Sequence, residues 1–180
     1  MQDKLSIWIN EIKRYNQSLN LVSAKMLHNL ENHVNDCMEL VAHIKEPIMA
    51  DLGSGAGFPA IPFALTHPDS FVFMLERSQN KCDFLRHVLA LLGLTNFELL
   101  EKDPLRQTEH RFDAVISRAF SPRKDLTKIL RIILANKGRF YYMQTGSAQP
   151  FVDKSLSLEE TYSSADLSSP LYLNTYVFIP

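Results

Sequence analysis

The segment MADLGSGAGFPAIPF (Met49 to Phe63) sets glycines at alternate positions 53, 55 and 57 behind a short apolar run. The run from Ile48 to Leu52 reads as a buried strand, and the apolar residues from about Pro59 to Thr66 read as a helix. Strand, glycine turn and helix together open a βαβ unit, because parallel strands need a crossover helix between them. That start commits the chain to an α/β sheet, provided that later segments keep the alternation.

They keep it. FVFML (Phe71 to Leu75) is a second strand ending at Glu76, and Ser78 begins a helix through Phe84, Leu85, Val88 and Leu92 that stops at Gly93. FELLE (Phe97 to Glu101) is a third strand and DAVIS (Asp113 to Ser117) a fourth. A helix from about Pro122 to Ala135 precedes Gly138 and a fifth strand, RFYYMQ (Arg139 to Gln144). The segment from Leu171 to Ile179 is strand-like and follows a polar, Ser-rich loop. The expected fold is a mostly parallel sheet with helices on both faces.

The chain ahead of the first strand has a helical period. Leu5, Trp8, Ile9, Ile12 and Tyr15 recur at helical spacing, with Asp3 available as a cap. Leu27, Leu30, Val34, Met38 and Val41 predict a second helix stopping near Pro47. The chain therefore divides into an N-terminal helical segment, residues 1–46, packed on a main domain, residues 47–180.

With 180 residues, 46% of them hydrophobic, there is material for a real core. No apolar run approaches the ~20 residues that span a bilayer, and the N-terminus has no uninterrupted apolar stretch of the kind that directs secretion. Cys37 and Cys82 lie far apart without a CxxC pair, so a reduced, cytosolic protein is expected. The six histidines show no HExxH spacing, and no metal is expected. A net charge of −1 argues against binding nucleic acid by bulk charge. The average hides a basic window: from Arg111 to Arg139, eight Lys/Arg stand against Asp113 and Asp125 alone. After Phe151 the balance reverses.

In open α/β sheets, ligands bind at the carboxyl ends of the strands, beside the topological switch point. The candidates are thus Gly53 to Phe58, Glu76, Lys102 to Leu105 and Arg118 to Arg123. The glycine turn itself narrows the ligand. A triphosphate loop needs GxxxxGK[ST], and no lysine lies near. A dinucleotide fingerprint needs a glycine where Phe58 stands. A pyrophosphate wants bare amides and a helix N-terminus, and Asp51 at the strand tip is an awkward neighbour for it. A cationic cofactor finds the same aspartate helpful. S-adenosylmethionine carries an ammonium, a sulfonium and no phosphate, and Gly53, Gly55 and Gly57 let the backbone approach its amino-acid part. Glu76 sits where a carboxylate accepts both ribose hydroxyls, and Asp103 is placed to accept from the adenine amino group.

DLGSGAGFPAIPFAL, FDAVISRAF and GRFYYMQ resemble the bacterial RsmG (GidB) methyltransferases over most of the chain. The resemblance implies a class I, Rossmann-like fold behind an N-terminal helical segment. It implies S-adenosylmethionine as cofactor and N7 of a guanine in 16S ribosomal RNA of the small subunit as the methyl acceptor. It makes Gly53 and Phe58 cofactor contacts and places Asp103, Pro104 and Leu105 in the loop beside the adenine. It puts Arg118 at the mouth shared by cofactor and substrate. Asn16, Asn20 and Leu21 match the family's N-x-x-x-N-L pattern, and His33 and Asp36 its H-x-x-D pattern, one turn apart on a helix.

Several positions depart from the pattern. Cys37 replaces a serine, Asp103 and Leu105 stand where an arginine and a glutamate are usual, and Gln144 and Thr145 replace lysine-glycine. Two alternatives follow: a methyltransferase for another substrate, or a cofactor-binding remnant acting as an interaction protein.

Guanine N7 presents a lone pair on the major-groove edge and has no proton to lose. The expected demand is therefore alignment of two reactants rather than acid–base chemistry. Arg118 is the expected functional side chain. Arg123 and Lys124 are expected to meet RNA phosphates, whereas Lys128 and Arg131, on the same helix, read more simply as a solvated face. His33 and Asp36 either line the substrate side or tie the helices to the sheet.

Overall fold

The computed structural model describes residues 1–106, 110–118, 123–146, 150–165 and 170–179, and the side chains of Arg123 and Lys124 lie outside the description. Three helices come first: α1 (Gln2–Leu19), α2 (Ala24–His28) and α3 (Leu30–Val41). Then β1 (Ile48–Leu52), α4 (Ala60–Thr66), β2 (Phe71–Leu75), α5 (Gln79–Leu92), β3 (Phe97–Leu100) and β4 (Phe112–Arg118) alternate. The chain ends with α6 (Arg123–Ile133), β5 (Leu134–Thr145), β6 (Leu156–Ser163) and β7 (Leu171–Phe178).

The seven strands form one sheet in the order β3-β2-β1-β4-β5-β7-β6. The first five are parallel, and β7 joins β5 and β6 antiparallel. Strand order reverses between β1 and β4, so the switch point lies at their carboxyl ends. There Gly53 follows β1, Glu76 follows β2, and Arg118 closes β4 opposite Met143 of β5.

Each face of the sheet carries its own core. On one face, α1, α3, α4 and α5 bury Leu5, Trp8, Ile12, Val34, Leu40, Phe63, Leu85 and Val88 against Met49, Val72, Met74 and Ile116. On the other, Leu126, Ile129, Leu130 and Ile133 of α6 cover Ala50, Leu52, Val115 and Phe140. The apolar positions of α1 and α6 fall at i, i+3 and i+4, which is why each presents a single buried stripe. Helix α5 stops at Gly93, whose φ of 55° is left-handed.

Four boundaries differ from the sequence reading. Asp3 sits in the first turn of α1, and Met1 occupies the cap position without a side-chain bond. The second predicted helix is two, broken at Asn29 and ended at Ala42; its apolar spacing runs through the break, so periodicity could not see it. Strand β5 starts at Leu134, before the expected Arg139. Its register against β4 shifts between Phe112 and Ala114, and Lys137 takes a φ of 61°. A Cβ on Gly138 would stand 2.9 Å from the Ala135 carbonyl, so the chain can turn there only on glycine. Finally, part of the expected Ser-rich loop is β6, an edge strand whose side chains are nearly all exposed. Exposure on both faces removes the alternation that marks a strand.

Candidate active site

Strand β1 is buried along most of its length and delivers the chain to the sheet edge at Gly53. The amides of Gly53 and Ser54 both donate to the Leu75 carbonyl, at 2.8 and 3.3 Å, which folds the turn over the tip of β2. Gly53, Gly55 and Gly57 have φ of 80°, 54° and 96°, a region that costs other residues about 1–2 kcal/mol each. The three glycines serve different purposes. Gly53 and Gly55 line a cavity of about 430 Å³. Gly57 faces inward, where a Cβ would lie 2.4 Å from Ile61 Cδ1.

The cavity sits at the switch point. Its floor is Gly53, Ser54, Gly55, Ala56 and Phe58; Arg118, Met143, Gln144 and Thr145 come from the tips of β4 and β5. The facing wall is Leu21, Val22, Ser23, Lys25 and Met26, with His33 from α3 and Lys81 from α5. The α1 helix is tied to the turn: Trp8 Nε1 donates to the Ala56 carbonyl at 2.9 Å, and its ring stands 4.4 Å from Phe58. Phe58 also lies under Arg118, whose Cζ is 4.8 Å from the ring centroid.

Arg118 is half-buried and, among the described residues, donates one hydrogen bond, to the Met26 thioether at 3.2 Å. Sulfur is a weak acceptor, so most of this guanidinium's donors are unspent. Burial weakens its hold on the proton, while Cys37, Asp51 and Asp36 would strengthen it in their ionised forms. Cys37 is itself pushed up to about 12 by burial, with Arg118 pulling the other way. It is therefore a neutral thiol at ordinary pH, and it contacts Met143 Sδ at 3.7 Å.

Asp51 does not line the cavity. It is fully buried beneath the turn, and neither carboxylate oxygen has a hydrogen-bond partner of full geometry. Burial pushes its pKa up to about 8; Ser54, the Ala60 amide and Arg118 pull it down, and Glu76 pushes it further up. Glu76 is buried as well and has its oxygens engaged: Oε2 accepts the Gly55 amide at 3.0 Å and Oε1 the Ser78 amide at 2.8 Å. It braces the turn and opens α5 at once.

The remaining expected residues are distributed as follows. Asp103 Oδ1 accepts the Leu105 amide at 3.0 Å, inside a short turn in which Pro104 is buried and Leu105 exposed. None of the three lines the cavity. Asp36 is buried one helical turn below His33, within electrostatic reach of Arg118. Arg123 and Lys124 open α6, but their side chains lie outside the described residues. Lys128 pairs with Asp125, and Arg131 donates to Ser155 at 2.9 Å, so both are held on their own helix or its neighbour. No group of His, Cys, Asp or Glu among the described residues is arranged to hold a metal ion. No described helix is long and apolar enough to cross a membrane.

Beyond His33 and Leu21, sequence reasoning missed the facing wall. Its one usable signal is N-x-x-x-N-L. Asn20 ends α1 in the left-handed region, φ 47° and ψ 50°, and Asn16 Oδ1 accepts the Val22 amide at 2.8 Å. The two asparagines turn the chain back across the cavity, and Ser23 then caps α2. Asparagine is the non-glycine residue best suited to such a turn.

The strand order, the glycine turn at the switch point and a cavity above it define a class I methyltransferase fold. The same architecture occurs in the putative methyltransferase yhhF of Escherichia coli, with a TM-score of 0.59, 16% identity and 88% of each chain covered. It occurs also in a mutant of MtNAS in complex with S-adenosylmethionine, with a TM-score of 0.66, 13% identity, and 98% and 73% of the two chains covered. Residues 1–164 match the GidB family, rRNA small subunit methyltransferase G, and the chain belongs to that family. A ribosomal RNA small subunit methyltransferase G of Chromobacterium violaceum is 34% identical over 134 residues, 73% of this chain and 64% of that protein. The match thus spans just under two thirds of that relative's length.

Proposed function

We propose that this chain transfers the methyl group of S-adenosylmethionine to N7 of a guanine in 16S ribosomal RNA of the small subunit, in the cytoplasm. The observation that carries the reading is Arg118. A guanidinium whose one hydrogen-bond acceptor among the described residues is a thioether sits on Phe58, on the same cavity as Gly53 and Gly55. Such a group is built to meet an oxygen-bearing ligand.

The residues fit the cofactor. Two cavity glycines leave the backbone bare where an amino-acid moiety would approach. The buried Asp51 carboxyl beneath them has no hydrogen-bond partner of full geometry, and a cationic ligand above it would favour its ionised form. Glu76, at the tip of β2, keeps further lone pairs for ribose hydroxyls beyond its two amide bonds. When bound, S-adenosylmethionine supplies an activated methyl group.

The chain's own residues then orient and exclude. Phe58 and Met143 give the cavity apolar surface that keeps water from the methyl group. Arg118 can meet the cofactor carboxylate or the O6 edge of the guanine. Because N7 has no proton to lose, no general base is required of His33 or Asp36, and alignment supplies the rate. Base N7 in A-form RNA lies in a deep, narrow groove, so the target guanine has to come from a loop or be flipped out.

The test is transfer of radiolabelled methyl to small ribosomal subunits and to free RNA, followed by mapping of the modified base. Label at a guanine N7 supports the reading. Label on protein alone sinks it.

A further inference from the structure

Two cations stand on the cavity wall beside Arg118. Lys25 is on α2 and Lys81 in the first turn of α5, and both line the cavity with Gly53, Phe58 and Arg118. Neither ammonium has an ion-pair partner among the described residues, whereas Lys13, Arg14, Arg86, Lys128 and Arg139 are each paired with a carboxylate. One unpaired surface lysine is ordinary; two from separate elements converging on the site are a local field. The net charge is −1, so the molecule as a whole does not attract a polyanion. Local cations beside the cavity can supply the phosphate contacts that the net charge does not.

We propose that Lys25 and Lys81 bind the backbone phosphates flanking the nucleotide whose base enters the cavity. The proposal rests on the RNA-methyltransfer reading and says where that substrate is held. A base drawn out of its stack leaves its phosphates at the mouth, within reach of long side chains on the rim. Lysine suits the task because it is a point charge on a flexible stem and demands no particular angle. Lys25 rides on a fixed support, since Asn16, Asn20 and Ser23 set the course of the wall that carries it.

The experiment measures methyl transfer to small subunits as a function of salt, with cofactor affinity followed by calorimetry. Lys25→Ala and Lys81→Ala should each raise KM by about tenfold and reduce the slope of log kcat/KM against log salt by about 0.7–0.9. Lys→Arg at either position should keep the slope. An active wild type whose variants keep its slope overturns the proposal. A cofactor Kd weakened in parallel with KM also overturns it, since it assigns the lysine to the cofactor. A wild type that binds S-adenosylmethionine yet labels no RNA removes the substrate reading itself, a result separate from any variant.

Discussion

The two walls of the cavity are made in opposite ways. The floor is backbone: glycines at positive φ, amides turned onto Leu75 and Glu76, and a helix locked behind them. The facing wall is side chain: Leu21 to Met26 carried on a turn set by two asparagines, with Met26 resting on Arg118. A backbone floor fixes where the ligand's common part lies and tolerates almost no substitution. A side-chain wall can change its residues without disturbing the sheet. On the proposed reading, cofactor binding falls to β1 and β2, and substrate selectivity to the N-terminal helices.

The sharpest way to break that contrast is inside the floor. Gly57→Val puts a branched side chain at φ 96°, its Cβ 2.4 Å from Ile61 Cδ1. Strain and overpacking together should cost about 4 kcal/mol, enough to leave a marginal domain largely unfolded. At Gly55 a Cβ meets no atom nearer than the Gly53 carbonyl at 3.7 Å, so Gly55→Val should fold with a loss of about 1–2 kcal/mol. Its side chain, however, stands on the cavity floor and should abolish cofactor binding. Thermal melts and calorimetry on both variants decide the matter; a Gly57→Val protein of native stability would refute the inward packing.

Asp51 comes next in size. Its pKa is about 8 in the fold against 3.8 for the free side chain, so between those values the native state holds a proton that the unfolded chain releases. Asp51 therefore subtracts stability progressively as pH rises from about 4 to about 8, and the loss is complete above 8. Asp51→Asn should raise stability by a few kcal/mol at pH 9 and by little at pH 4. The same change should weaken cofactor affinity, because the carboxylate that charges near a cation is gone. An equal gain in stability at both pH values would show that Asp51 is not the buried titrating group.

What the chain disclosed of itself follows the same division. The alternation of Ile48–Leu52, Phe71–Leu75 and the helices between them is encoded in local period and turn residues, so the sheet and its glycine turn could be read directly. Glu76 could be placed at a strand tip, but its two amide bonds could not, since they join residues 21 and 2 positions apart through the turn's exact course. The facing wall is a tertiary object. Val22, Met26 and Lys81 look like ordinary residues in or beside helices until α1 is tied by Trp8 to Ala56, 48 positions away. Strand β6 was hidden for another reason, its exposure on both faces.

The tie between the walls is therefore worth cutting. Trp8→Phe keeps most of the buried ring but removes the donor to the Ala56 carbonyl, leaving that oxygen without its 2.9 Å partner. An unsatisfied buried acceptor costs about 1–3 kcal/mol. If the bond also sets the spacing of floor and wall, substrate KM should rise while cofactor Kd holds. A cofactor Kd that weakens instead would mean that Trp8 supports the floor alone.

The smallest effect expected is at Asn20. Its left-handed backbone suits glycine at least as well, so Asn20→Gly should leave stability within about 0.5 kcal/mol, while Asn20→Val should lose about 1–2 kcal/mol. Asn20→Val forces the chain to leave α1 by another path, which displaces Val22 from Asn16 and moves Met26 off Arg118. The Val variant should then lose methyl transfer more than it loses cofactor binding, and the Gly variant should lose neither. Equal transfer by both variants would show that the wall finds its place without the asparagine turn, and the contrast between a backbone floor and a positioned side-chain wall would have to be given up.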